Sequence, residues 1–268
     1  MSRLNDTFAR LRREHRAGLV TYTTAGDPDL ARSAEILKAL DRAGADVLEV
    51  GVPFSDPLAD GPVIQRATER ALAAGTNLRG VLGMIGTIRP AIAAPVVVFS
   101  YANPILRMGL QAFASQAAAA GVDGVLALDL PIEEAEEFRN VLAAAGLDTI
   151  FLLSPTTTDA RIRKAAELGR GFLYGISRLG VTGARDRVAS GAEAMVRRIR
   201  AHTDMPIALG FGISRAEHVA EVAGYADAAV VGSALVSLIA ESSGSPELIP
   251  RVEAYVRELK SACVPTRT

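Results

Sequence analysis

Short apolar runs recur along the chain, and between them apolar positions return every three or four residues. The runs over 19–23, 46–50, 96–100, 124–128, 149–153, 172–175, 207–209 and 228–231 predict eight strands. The helical spacing predicts helices over 3–15, 30–43, 63–73, 78–89, 110–120, 133–145, 159–168 and 191–202. One further helix follows each of the last two strands, and a closing helix runs from 246 to about 262. Continuous rather than alternating runs mark strands covered on both faces, as in a parallel sheet wrapped by helices. Eight strand–helix units close a (β/α)8 TIM barrel. The expectation is therefore an α/β protein with one barrel domain over 1–268, carrying an extra N-terminal helix and a C-terminal helix that plug or brace it. A doubly wound open sheet is the alternative. No linker or low-complexity stretch divides the chain.

Composition narrows the partners. A formal charge of −1 gives no electrostatic case for nucleic acid or an anionic membrane. The N-terminus has no apolar leader. The most apolar window, 226–240, contains Asp227 and is too short to span a bilayer. The single cysteine, Cys263, excludes an internal disulfide and suits a reducing compartment. These features predict a soluble, cytoplasmic protein.

Barrel enzymes work at the C-terminal ends of their strands. The lysines, Lys38, Lys164 and Lys260, all fall in predicted helices, which disfavours a Schiff base. His15, His202 and His218 also fall on helical stretches without ligand spacing, which disfavours zinc. Carboxylates, tyrosines and hydroxyls are left. Glu49 lies inside the second strand, where apolar neighbours disfavour the ionised form and raise its pKa. Such a group can both give and take a proton near neutrality. Asp60 precedes Gly61-Pro62 and reads equally as a helix cap or as a functional acid. Asp56-Pro57 reads first as a turn, and Asp129-Leu130-Pro131 as a cap or strand stop. Tyr174, at the end of strand six, is core or mouth. Glycine clusters at Gly180–Gly183, Gly210–Ser214 and Gly232-Ser233 follow strands six, seven and eight, and the last two are expected to open helices. Freed backbone amides at a helix start bind a phosphate dianion. The residues thus predict a small phosphorylated substrate and acid–base chemistry, with isomerase, epimerase, lyase and aldol-type reactions all open.

The run Glu49-Val-Gly-Val-Pro-Phe-Ser-Asp-Pro-Leu-Ala-Asp-Gly-Pro62, with Ile64-Gln65 beyond it, resembles the signature of the tryptophan synthase α subunit family. Thr24–Pro28, Tyr101-Ala-Asn-Pro104, Asp129-Leu-Pro131, Ser177–Gly183 and Gly210–Ile213 match in the same order. The resemblance implies a TIM-barrel lyase of tryptophan biosynthesis that cleaves indole-3-glycerol phosphate to indole and glyceraldehyde 3-phosphate by a retro-aldol reaction. It makes Glu49 the general acid/base, Asp60 the acceptor for the indole N–H, and Tyr174 a support for Glu49. It places Tyr22, Phe99, Leu126, Thr182 and Phe211 around the indole, and Gly183, Gly212, Gly232 and Ser233 around the phosphate. Loops after strands two and six would close over substrate, bringing Thr182 to Asp60. It implies no cofactor or metal in this chain, and an α2β2 heterotetramer whose β subunit holds pyridoxal phosphate, with Pro53, Asp56, Asn103, Pro104, Pro131 and Ile132 toward that partner. Leu128 and Thr21 depart from the family pattern and bear on the pocket's shape. Two other readings are a phosphate-binding sugar isomerase or epimerase, and a barrel kept as an allosteric subunit.

Overall fold

Strands that are apolar on both faces need cover on both, and the barrel supplies it with helices outside and side chains within. The computed structural model describes residues 2–176, 191–210 and 212–263. Its strands are β1 (Gly18–Thr24), β2 (Val47–Gly51), β3 (Val96–Ser100), β4 (Gly124–Ala127), β5 (Asp148–Thr149), β6 (Phe151–Leu153), β7 (Leu173–Ile176), β8 (Ile207–Gly210) and β9 (Ala228–Val231). The strand pairings are parallel, in the order β5-β4-β3-β2-β1-β9-β8-β7-β6. β5 and β6 are the two halves of the predicted fifth strand, parted at Ile150, whose amide still donates to the Val125 carbonyl at 2.9 Å. The sheet order therefore begins and ends on one strand, and chain continuity at Ile150 closes the ring.

The helices are α1 (Arg3–Arg13), α2 (Leu30–Arg42), α3 (Pro62–Ala73), α4 (Leu78–Ile88), α5 (Ala102–Met108), α6 (Leu110–Ala119), α7 (Ala135–Ala144), α8 (Asp159–Leu168), α9 (Ala192–Arg200), α10 (Ala216–Ala223), α11 (Ser233–Ser242) and α12 (Leu248–Ser261). Among these residues no helix is long and apolar enough to cross a membrane. Four details differ from expectation. α5 was not predicted, because Pro104 reads as a breaker; it sits in the first turn, where a missing N–H is tolerated. Asp129 accepts the Ala102 amide at 2.7 Å, tying the end of β4 to the start of α5. The Gly210–Ser214 cluster does not open α10, which starts after an Arg215 cap. His15 and His202 lie just past the ends of α1 and α9 rather than within them.

The N-terminal helix plugs the barrel. Its buried face, Leu4, Phe8 and Leu11, packs with the inward side chains Val20, Val47, Val97, Leu126, Phe172, Ala208, Ala228 and Val230. The rings of Phe8 and Phe172 lie 5.5 Å apart. α12 braces the outside against α2, and Arg42 reaches its Glu253 at 2.7 Å.

The same end of the barrel carries a repeated device. Asp46, Asp123 and Asp227 each precede a strand, and each accepts an amide from the start of a neighbouring strand, Leu19 (second in β1), Val96 (first in β3) and Ile207 (first in β8), at 2.8 Å. Their own amides donate back to the carbonyls of those same residues. This two-point contact fixes the register of each pair without using the strand ladder. Asp148, the first residue of β5, instead accepts the Ser2 hydroxyl that also caps α1. Asp46 carries the densest charge, with Arg16, Arg10 and Lys260 around it. Burial pushes its pKa up, but the hydrogen bonds and charges of Arg16 and Lys260, with the Leu19 amide, outweigh burial and hold it below the usual 3.8.

Removing that charge would leave the partly buried Arg16 and Lys260 without their counter-charge and the Leu19 amide with a weaker acceptor. Asp46→Asn is expected to lower stability by about 3 kcal/mol in urea denaturation near neutral pH. A depressed folded-state pKa means that the carboxylate's contribution is full above the unfolded value and fades as pH falls through the folded one. The gap between the two proteins should therefore close in acid; a gap constant from pH 7 down to pH 2 would contradict this account.

Candidate active site

Alternation along β2 sends Val47, Glu49 and Gly51 inward and Leu48 and Val50 outward. Val47 belongs to the inner cluster, and Leu48 and Val50 pack under the helices. Glu49 is thus held inside the barrel by strand geometry. It is fully buried, and neither carboxyl oxygen has a hydrogen-bond partner among the described residues. Burial raises its pKa from 4.5 to about 8. The direction is the one its apolar neighbours in the sequence predict, and it favours the neutral carboxyl at pH 7.

Two tyrosines flank it. Tyr22 on β1 pairs in register with Glu49, and its ring stands edge-on to Phe99 at 5.2 Å. Its hydroxyl, 3.5 Å from Thr24 Oγ1, is pushed upward in pKa by burial first and then by Asp60. Tyr174 on β7 is raised well above its ordinary value by burial and then by the charge of Glu49. Both hydroxyls lie over glycines. A Cβ at Gly51 would stand 2.2 Å from the Tyr22 oxygen, and one at Gly210 would stand 2.5 Å from that of Tyr174. These two glycines are required for space, not for backbone freedom.

Asp60 closes the mouth from the loop after β2. It does not cap α3: Gly61 takes the cap position with extended backbone and Pro62 is the first helical residue. The capping reading of Asp60 is therefore wrong, and its carboxylate is free for other work. It accepts a hydrogen bond from the Tyr101 hydroxyl at 3.1 Å. Burial raises its pKa to about 6, against the opposing pull of that bond. The wall is continued by Phe99 and by Leu126, which is buried in the inner cluster. Leu128 packs at the margin of that cluster, whereas alternation turns Thr21 away from Tyr22 toward the helices, so only Leu128 bears on the pocket. Gly232 caps α11, where a Cβ would stand 3.5 Å from the Cβ of Tyr22, Ser233 begins that helix, and Gly212 adopts a left-handed φ of 81°. Thr182, Gly183 and Phe211 lie outside the described residues. Among the described residues no His, Cys, Asp and Glu cluster could hold a metal ion.

A profile of the tryptophan synthase alpha chain family matches residues 8–264. The chain belongs to the tryptophan synthase alpha chain family. It is 50% identical over 262 residues to the alpha chain of Geobacter sulfurreducens, covering 98% of this chain and 99% of that one. With the alpha chain of Geotalea uraniireducens it shares 49% over 261 residues, 97% of each. Among solved structures it is similar to Mycobacterium tuberculosis tryptophan synthase, with a TM-score of 0.90 at 40% identity over 98% of both chains. The Legionella pneumophila alpha subunit gives 0.90 at 36%, again over 98% of both. Membership makes this an indole-3-glycerol-phosphate lyase of tryptophan biosynthesis and sets aside the sugar-phosphate isomerase reading.

Some residues of the tryptophan synthase alpha chain mouth are absent from the sequence-based set. Tyr101 is read there only as part of a motif, although it directly follows a strand, where barrels place their chemistry. Gln65 braces the loop, its side-chain amide donating to the Asp60 carbonyl at 2.8 Å and to Pro57 at 3.3 Å. Leu58 and Leu106 are 92% and 60% exposed on the same end of the barrel. Of the residues read as partner-facing, Asp56, Asn103 and Pro131 are exposed, Pro104 and Ile132 are half-buried, and Pro53 is buried.

The neutral Glu49 has a measurable cost. In the unfolded chain it ionises near 4.5, and in the fold only near 8. Stability is lost as pH rises between those values, by about 1.4 kcal/mol per pH unit. Against Glu49→Gln, which does not titrate, the wild type should lose about 3 kcal/mol between pH 5 and pH 7 in urea denaturation. Parallel stability curves for the two proteins would rule out a buried neutral acid.

Proposed function

We propose that Glu49 performs both proton transfers of the lyase reaction and that Asp60 stabilises the charge formed between them. The carrying observation is the fully buried Glu49 carboxyl, without a hydrogen-bond partner among the described residues, whose burial favours the protonated form at neutral pH. In its acid form it gives its proton to C3 of the indole ring, which leaves positive charge on the ring nitrogen. Asp60, ionised above about pH 6, accepts the N–H hydrogen bond and offsets that charge. The Glu49 carboxylate then takes the proton from the hydroxyl on the carbon bonded to the ring. The C–C bond breaks, its electrons return to the ring, and indole and the aldehyde glyceraldehyde 3-phosphate separate with Glu49 again protonated.

Tyr174 lies beside Glu49 and orients it. Tyr22, Phe99 and Leu126 form the pocket walls against the ring plane, with Thr182 and Phe211 completing them. The phosphate falls to the main-chain amides at Gly183, Gly212, Gly232 and Ser233, the last two at the N-terminal end of α11. Residues 1–268 act as one cytoplasmic barrel domain that needs no cofactor. Its partner is the β subunit, which carries pyridoxal phosphate, in an α2β2 assembly. Asp56, Asn103 and Pro131 face that subunit, and the exposed Leu58 and Leu106 add apolar area.

Indole release from indole-3-glycerol phosphate, with and without a β subunit, tests the whole reading. Glu49→Gln should reduce it by at least ~10²-fold, the loss expected for an acid/base group. Near-normal turnover would remove Glu49 from the chemistry. In the wild type, kcat/KM should be bell-shaped in pH, rising as Asp60 ionises near 6 and falling as Glu49 loses its proton near 8. A profile flat from pH 5 to pH 9 would contradict the assignment of an acid and a carboxylate.

A further inference from the structure

Asp60 is a carboxylate in a place that does not favour charge. Among the described residues no cation acts on it. From β1 it faces the uncharged phenol of Tyr22, and Glu49 of β2 adds only a neutral carboxyl at pH 7. Among the described residues, the one group that favours its ionised form is the hydroxyl of Tyr101, which follows β3. Asp129, after β4, acts on Tyr101 and not on Asp60, and its carboxylate is engaged by the Ala102 amide.

The Tyr101 hydroxyl is itself fixed from two sides. It accepts the Ala59 amide at 3.1 Å and donates to Asp60 Oδ2 at 3.1 Å. With its acceptor role filled by Ala59, its proton is directed at the carboxylate. The residue is 5% exposed, and its ring packs on Phe54 of the same loop at 5.1 Å. The bond occupies Oδ2 and leaves Oδ1 for a donor arriving with substrate. Gln65 pins the backbone of the same residue by donating to its carbonyl. A residue that Pro57 and Gly61 would leave on a pliable loop is thus held at both its main chain and its side chain.

We propose that Tyr101 is a positioning residue of the lyase, whose hydroxyl, bridging the Ala59 amide and Asp60 Oδ2, keeps the Asp60 carboxylate aimed and charged for the ring nitrogen of the substrate. This rests on the reading of Asp60 as the group that meets that nitrogen. Tyr101 touches no reacting atom and acts through Asp60. Its bond opposes the effect of burial on Asp60, so its loss shifts Asp60 toward the protonated, uncharged form at any given pH.

The test is kcat/KM for indole release from indole-3-glycerol phosphate between pH 5 and pH 9, in wild type, Tyr101→Phe, Asp60→Asn and the double variant. Tyr101→Phe keeps the ring on Phe54 and removes only the hydroxyl. It should lower kcat/KM at pH 7 by about ten- to a hundredfold, the range for a hydrogen bond to a charged group. Its acid limb should move up by about one pH unit, so that part of the loss returns near pH 8. In the Asp60→Asn background the same change should cost little more, because the two residues act as one. Tyr101→Gln, which restores a donor, should recover part of the activity, and it serves as the reporter if thermal unfolding shows Tyr101→Phe to be poorly folded. A uniform loss with the acid limb unmoved, or a full further loss in the Asp60→Asn background, would overturn the role of Tyr101. Wild-type activity in Asp60→Asn would instead overturn the reading of Asp60 beneath it.

Discussion

Glu49 carries a carboxyl group into a barrel interior that offers it no donor among the described residues, and the rest of the fold is arranged so that water does not supply one. An ionised carboxylate there would lack both solvent and partner, so the proton stays on. That condition needs a closed ring, which chain continuity at Ile150 provides. It also needs a sealed floor, which Leu4, Phe8 and Leu11 of α1 provide by filling the end of the barrel away from the mouth. The helix that looks like an appendage in the sequence is therefore part of what sets the acidity of a residue in a strand it precedes by two elements.

The two ends of the barrel divide the work. At the floor, charge is paired: Asp46, Asp123 and Asp227 each lock the start of a neighbouring strand, and arginines and Lys260 surround the first of them. At the mouth, charge is left unpaired. Among the described residues Glu49 has no hydrogen-bond partner, and Asp60 has one neutral hydroxyl. The floor supplies register and stability, and the mouth forgoes both for reactivity.

What the sequence made legible follows from this division. Parallel strands buried on both faces read as unbroken apolar runs, so the barrel and the inward face of Glu49 could be read without a structure. Devices that depend on contacts across the chain could not. An aspartate before a strand looks like an ordinary turn residue, and its bond to an amide 27 residues away, as from Asp46 to Leu19, leaves no local trace. Pro104 hid α5, because a proline in the first turn of a helix resembles one that breaks it. Asp60 before Gly61-Pro62 looks like a cap, and only the extended backbone of Gly61 shows that the cap position had moved one residue on. Gly51 and Gly210 read as strand-end glycines, while their function is to admit the hydroxyls of Tyr22 and Tyr174 from other strands.

The lyase chemistry asks opposite things of two carboxyls in one pocket. One must arrive protonated and the other charged, and both must do so near pH 7. Residue type cannot separate them; surroundings can. Glu49 sits within a strand, without a hydrogen-bond partner among the described residues, and burial alone takes it to about 8. Asp60 sits on the rim, less deeply buried and in reach of the Tyr101 hydroxyl, and stops near 6. The interval between those values is the range in which a single protein holds both states at once. It is produced by depth along the barrel axis and by one hydroxyl, so a change that floods the pocket or unseats Tyr101 narrows it from one side or the other.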